Sequence, residues 1–278
     1  MGTPMALNLS RRFPITVWNR SASKYPPLVR AGARIGTTPA DVAKNSDVIF
    51  TMLFDASAIN DILPSLLQSS LAGKTLVNSS SVPEDFSHYL SKTITSAGGQ
   101  FVEMPVSGSK QPAEQGRLVA MLSGSPPAVE AIRPVVENTI CSAAIYCGPI
   151  GCALRAKYAV NLYIITVAVG LAEAMNLARA QGLDVAVLGA VINAGPASSA
   201  YTESKIAKIV TGDWMPQATA RDCWNSSKLI CEAAETAEAG APLIRACREM
   251  FAMAVDEGGW GDEDLIAVVK TMSHFSAN

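Results

Sequence analysis

Lys157 and Asn161 stand four residues apart in CALRAKYAVNLYIITVAVGL, the most apolar helical stretch of the chain. Residues at i and i+4 share a helix face, so this spacing sets an amine beside a carboxamide. An amine in half-buried surroundings gives up its proton more readily than one in water, which suits a general acid or base near neutral pH. The same lysine also reads as a snorkelling residue, with its stem on apolar surface and its ammonium in solvent. Spacing alone leaves both readings open.

A second set of residues lies at the start, where MGTPMALNLSRRF leads into ITVW and then NRSASK. A dinucleotide-binding unit needs a strand, a G-x-G-x-x-G turn, a helix N-terminus aimed at the pyrophosphate, and a ribose-reading residue about 20 positions on. Gly2 fits the last glycine of that turn, and Asn19, Arg20 and Ser21 fall where the ribose reader belongs. NAD-binding units place Asp or Glu there. Arg20, Ser21 and Lys24 instead offer positive charge and a hydroxyl, which suits the 2′-phosphate of NADP. The competing reading is a solvated turn that happens to carry Arg and Lys. The strand and first two glycines of the fingerprint are not in this sequence, so the chain is expected to begin at an internal methionine of a longer ancestor. That loss would leave two neighbouring strands short of a hydrogen-bonding partner.

The elements that must position these residues follow from periodicity. Ile15 to Trp18, Asp47 to Leu53, Lys74 to Ser80, Gly99 to Gly108, Arg117 to Gly124 and Ala143 to Gly148 read as strands, separated by helical stretches such as ASAINDILPSLLQ. Strands alternating with helices predict a mostly parallel sheet covered on both faces. After GPIG (Gly148 to Gly151) every long segment reads as helix, ending with DEDLIAVVKTM. An α/β domain over residues 1–150 and an all-α domain over 151–278 are expected.

Composition narrows the field. With 278 residues, 49% hydrophobic and 17% charged, the chain can bury the cores of two globular domains and is not disordered. A net charge of −2 gives no reason to expect nucleic acid or an anionic membrane as partner. The six cysteines contain no C-x-x-C pair and only two histidines accompany them, so zinc-ligand spacing is absent and a reducing, cytoplasmic compartment is expected. The opening residues lack a charged start followed by an apolar core, so no secretory signal is expected from them. The longest apolar run, Leu162 to Ala172, falls short of the roughly 20 residues a bilayer span needs, so a buried helix is expected. His88 and His274 sit in no motif and read as surface residues; the Met and Trp residues of the C-terminal helices read as core, and Cys152 as a small buried filler.

Three separated stretches, PVSGSKQPAEQGRLVAMLSG, GPIGCALRAKYAVN and AEAMNLARAQGLD, together resemble the β-hydroxyacid dehydrogenase family, which includes 3-hydroxyisobutyrate dehydrogenases and glyoxylate/succinic semialdehyde reductases. The resemblance runs over nearly the whole chain. It implies a Rossmann-type α/β N-terminal domain, here without its first strand, followed by an all-α C-terminal domain. It implies that Lys157 is the catalytic lysine, Asn161 its companion, and Ser107 and Gly108 the loop that holds the substrate. It implies further that Arg20, Ser21 and Lys24 form an NADP-selective turn, and that Leu53 and Ser81 meet the cofactor. NADPH would then give hydride to a small aldehyde or oxo acid while Lys157 supplies the proton, in a homodimer or larger assembly. One departure stands out: in DCWNSSKLICEAAE, Asn225 takes the place where relatives carry a lysine near the cofactor, and Lys228 comes a turn late. Imine reductases share the architecture and the N-R-[ST] turn but generally lack the lysine, which favours hydroxyacid chemistry. The rival expectation from another class is a dehydrogenase fold without catalysis, kept as a binding or oligomerisation module.

Overall fold

The computed structural model describes the chain through residue 275, and side chains through residue 272. It divides into two compact units, Met1–Lys157 and Tyr158–Asn278.

The first unit alternates as the periodicity predicts. Helix α1 (Gly2–Ser10) leads to strand β1 (Thr16–Val17), a 3-10 turn (Ala22–Lys24), α2 (Pro26–Arg30), β2 (Arg34–Ile35), α3 (Pro39–Lys44) and β3 (Val48–Thr51). Then come α4 (Ala56–Leu66), β4 (Thr75–Asn78), α5 (Glu84–Ser96), β5 (Gln100–Glu103), β6 (Val106–Ser107), α6 (Lys110–Glu114), β7 (Leu118–Gly124), α7 (Pro126–Val136) and β8 (Cys141–Gly148). Side chains mark several helix starts: Thr38, Asp55 and Ser125 each accept a hydrogen bond from the backbone amide three residues on, satisfying donors that have no partner inside the helix.

β3, β4 and β5 pair in parallel; β7 runs antiparallel to β5 and β6, and β8 lies parallel to β7. All four residues of β4 are buried, as a strand covered on both faces requires. Two features differ from the sequence expectation. β2 lies in GARIGTT, which has no apolar run like the ITVW around β1, and the single run Gly99 to Gly108 is two strands. Pro105 divides it: proline has no N–H for a ladder, although its carbonyl still accepts from Met121 N at 3.0 Å.

β1 and β2 form a separate two-stranded parallel sheet. The outer edges of β1 and β3 carry no ladder pair among the described residues, whereas a doubly wound sheet places a strand between these two positions. Apolar side chains from both edges, Ile15, Val48 and Phe50, pack half-buried against one core cluster that includes Met5 and Leu9 of α1, Val77 of β4 and Val102 of β5.

The second unit is helical: α8 (Cys152–Ala180), whose first residues belong to the first unit, then α9 (Val185–Ala194), α10 (Ala200–Thr211), α11 (Ala220–Thr236) and α12 (Pro242–Asp256). Capping boxes, Ser199 with Thr202 and Thr219 with Asp222, open α10 and α11. The closing segment expected as a helix is a 3-10 helix over Leu265–Phe275. It starts from a fixed point. Asp264, fully buried, accepts from Lys205 Nζ at 2.8 and 3.1 Å and from the amides of Gln217 and Ile266.

α8 runs 29 residues, beyond the 11-residue apolar run, so by length and composition it passes the test for a membrane span. Ala153, Leu154, Ile165, Ala168, Ala172 and Met175 are nonetheless buried along it, the pattern of a core helix. Met175 and Met272 are buried as expected, whereas Trp224 is half-buried; Trp214, Met215 and Trp260 lie outside the helices, the tryptophans half-buried and Met215 exposed. The tryptophans carry cations instead: Lys228 Nζ lies 3.8 Å from the Trp224 ring centre, and Lys270 faces Trp214 and Trp260. His88 is exposed; the side chain of His274 lies outside the described residues.

Candidate active site

Ligands of open α/β sheets bind outside the carboxyl ends of the strands; of the predicted cofactor residues, Asn19, Arg20, Ser21 and Lys24 follow β1, Leu53 follows β3 and Ser81 follows β4, while Asn225 lies on α11 of the second unit. Gly2 opens α1, where a Cβ would lie 3.7 Å from Met52 Cβ and carbonyl oxygen, just past β3. The helix N-terminus, the positive end of its dipole, therefore abuts the loop carrying Leu53. Leu53 N donates to Ser80 Oγ at 2.8 Å. Asn78 Oδ1 accepts from Thr51 Oγ1 at 2.9 Å and from Ser80 N at 3.2 Å. These bonds tie the ends of β3 and β4 together and fix the start of the loop that continues into Ser81.

The turn after β1 is held by Tyr25. Its hydroxyl accepts from Asn19 N at 2.9 Å and donates to Asn19 O at 2.8 Å, while Asn19 Nδ2 donates to Ser21 O. Arg20, Ser21 and Lys24 are all exposed on this braced turn.

Ser107 ends β6, half-buried and paired with Val119, and Gly108 follows exposed at φ +123°. A Cβ on Gly108 would sit 2.7 Å from Leu118 Cδ2 and displace that side-chain tip, and the positive φ itself favours glycine there.

The turn into α8 is held from within. Glu103, at the end of β5 and 1% exposed, accepts from Ser87 Oγ at 2.6 Å and from Gly151 N at 2.8 Å, both on Oε1. Its Oε2 finds no partner. Burial pushes this carboxyl above the usual carboxylate range, against the lowering effect of those two bonds. Ala153 N donates to Ser123 Oγ at 2.7 Å, so two of the first amides of α8 and its approach are satisfied by strand residues. Gly151 itself sits at φ +98°, and a Cβ there would come 2.8 Å from Glu84 Oε1. Glu84 in turn binds Arg155 through Nε at 2.8 Å and Nη2 at 2.5 Å, and this guanidinium holds its carboxyl below the ordinary value.

Lys157, half-buried, follows one and a half turns into α8. In the second unit Asn161 Nδ2 donates to Ser226 Oγ of α11 at 3.4 Å. Asn225 lies half-buried beside Ser226, and the later Lys228 is occupied with Trp224. Tyr25, Asn78, Ser80, Glu103 and Ser226 were missed by the sequence reading. Only the polar end of the run VNSS carried a signal for two of them.

All six cysteines are free thiols. Burial pushes Cys141 and Cys247 up to about 11, away from thiolate chemistry. Cys152 is half-buried at the start of α8 rather than a core filler.

A strand–helix unit followed by a helical unit is the architecture of two-domain NAD(P)-dependent dehydrogenases, and the family models place the chain in that class. Residues 1–148 match the NAD-binding domain of 6-phosphogluconate dehydrogenase, and residues 151–272 match the NAD-binding domain of NADP-dependent 3-hydroxyisobutyrate dehydrogenase. The chain belongs to the 3-hydroxyisobutyrate dehydrogenase and glyoxylate/succinic semialdehyde reductase family. It is 30% identical over 276 residues to glyoxylate/succinic semialdehyde reductase 2, chloroplastic, of Arabidopsis thaliana, covering 98% of this chain and 76% of that protein. It is 29% identical to human cytokine-like nuclear factor N-PAC, covering 99% of this chain and about half (50%) of that protein. Among solved structures, 3-hydroxyisobutyrate dehydrogenase from Salmonella typhimurium superposes with a TM-score of 0.88 at 22% identity, over 97% of this chain and 95% of that one.

Proposed function

We propose that this protein transfers hydride between NADP(H) and a small β-hydroxyacid or its semialdehyde or oxo-acid partner, with Lys157 as general acid in reduction and general base in oxidation. The observation that carries the reading is the pinned start of α8: Glu103 and Ser123 hold the first amides, and Lys157 follows on the same helix one turn before Asn161. A proton donor placed on a fixed helix keeps its geometry through turnover. In the first unit Ser107 and the Gly108 amide would supply hydrogen bonds for the substrate oxygens, and in the second Asn161 is braced by Ser226.

The residues present suit the cofactor. The exposed Arg20 and Lys24 flank a turn with no carboxylate of its own, a fit for a 2′-phosphate rather than a bare ribose. Bound NADPH would supply the hydride, and Gly2, Leu53 and Ser81 would face it from the ends of α1, β3 and β4. Tyr163, Leu177, Val187 and Val191 are exposed on α8 and α9, apolar surface that suits burial against a second copy in a homodimer or larger assembly.

A second reading, a non-catalytic module of dehydrogenase fold, is favoured by one observation, the unpaired outer edges of β1 and β3. Turnover separates them. NADPH-linked reduction of succinic semialdehyde or glyoxylate that disappears in Lys157→Ala supports the enzyme; cofactor and substrate left unchanged by the wild-type chain supports the module.

A further inference from the structure

At the far end of α1 from Gly2, about 13 Å along the helix axis, lies a cavity of about 410 Å³ that the cofactor reading does not use. Its lining includes Arg11 and Arg12 after α1, Arg117 before β7, and Gln115, Asn138 and Ser142. No Asp or Glu lines it. Of the carboxylates nearest in sequence, Glu114 lies by Lys110 and Glu137 by Arg133, while Glu137 also acts electrostatically on Cys141 of the lining. None of the three arginines forms an ion pair among the described residues.

Closing the helix does not require them. The end of α1 is capped by backbone, with Arg12 N donating to Leu9 O at 3.0 Å and Phe13 N to the same oxygen at 2.9 Å. Nor is the loop that carries Arg117 loose. Gly116, at φ +65°, lets the 115–117 turn press so close that a Cβ would lie 2.4 Å from Thr139 O, and Arg117 donates through Nη2 to Gln115 Oε1. Three arginines from two separate elements, fifteen N–H donors in all, thus line a cavity whose other polar lining groups are neutral amides and hydroxyls, with no carboxylate among its lining residues. In a chain whose net charge is −2, such a concentration calls for an anion from outside.

We propose that this cavity is a binding site for a small multiply charged phosphoryl anion, distinct from the cofactor-binding edge at the opposite end of α1. Arg11 and Arg117 would grip it from two sides and Arg12 add charge, with the Asn138 amide donating to its remaining oxygens. The volume falls within the range of small-ligand pockets and admits a diphosphate.

The test is titration of the full chain with inorganic pyrophosphate by calorimetry, run on wild type, the Arg11→Ala/Arg117→Ala double variant and Arg20→Ala, with circular dichroism to verify folding. All three arginines are exposed, so the fold should tolerate their loss. The expected result is saturable one-site binding to wild type, weakened at least about tenfold in the double variant and kept in Arg20→Ala, a tenfold loss being about 1.4 kcal/mol. Absence of saturable binding to wild type overturns the proposal. So does binding that survives the double variant or that is lost in Arg20→Ala, since the anion would then occupy the cofactor edge.

Discussion

Two turns of the first unit, the one after β1 and the one before α8, do opposite things with their charges. The first shows Arg20 and Lys24 to solvent and is braced by a single tyrosine hydroxyl on Asn19. The second hides a carboxylate, Glu103, and uses it to hold Gly151 and Ser87. An exposed cation costs little until a ligand arrives, so its effect is on selectivity. A buried carboxyl has already been desolvated and acts on the protein itself, by fixing where a helix begins. The difference separates charges left at the surface from a buried carboxyl that fixes where a helix begins.

Mutations can sharpen or break that distinction. The largest effect should come from Lys157→Ala on the helix the second turn fixes: kcat should fall about 10²–10⁴-fold, the usual worth of a general acid, with NADPH affinity nearly unchanged, as read by steady-state kinetics and cofactor titration. Next, Glu103→Ala leaves two buried donors unsatisfied, at about 1–3 kcal/mol each, so denaturant unfolding should show a stability loss of about 2–6 kcal/mol. A loss below about 0.5 kcal/mol would place the anchor of α8 elsewhere. At the first turn, Arg20→Ala should leave stability unchanged within about 0.5 kcal/mol yet weaken NADPH binding by about 1.5–3 kcal/mol, the worth of hydrogen bonds to a charged group, with NADH binding unaffected. Equal losses for both cofactors would remove Arg20 from the 2′-phosphate.

The smallest effect concerns pH. Glu103 holds its proton to higher pH in the folded chain than in the unfolded one, where its ordinary value is 4.5. Its protonated form therefore contributes stability that is complete below that value and lost as pH rises through the raised folded value. Glu103→Gln cannot ionise, so relative to wild type it should gain stability as pH climbs above 4.5. The groups facing Glu103 are Ser87 and the Gly151 amide directly, with His88 and Glu84 acting at longer range. A stability difference between the two proteins that does not change with pH would show that burial leaves this carboxyl unperturbed.

Much of the fold was legible in the chain because it rests on local pattern. Periodicity marked the long strands and α8, and the capping residues at Ser199 and Thr219 agree with the helices they open. What was not legible depends on residues far apart. Lys205 meets Asp264 across 59 positions, and Glu103 reaches Gly151 across 48. Nothing around Glu103 in FVEMPV distinguishes a helix anchor from a polar residue in a strand. At the site, the Lys157–Asn161 spacing and the basic turn at Arg20 were readable, since each is a local arrangement. Ser226 and Tyr25 were not, because each acts through a partner that only the fold supplies.

The central claim is that the strand ends around Gly2, Leu53 and Arg20 bind NADPH, and the most direct measurement is titration of the 278-residue chain with NADPH, with NADH as control. The account predicts saturable binding in the micromolar range or tighter that favours NADPH. Failure to bind either cofactor, in a chain shown by circular dichroism to be folded, would contradict it.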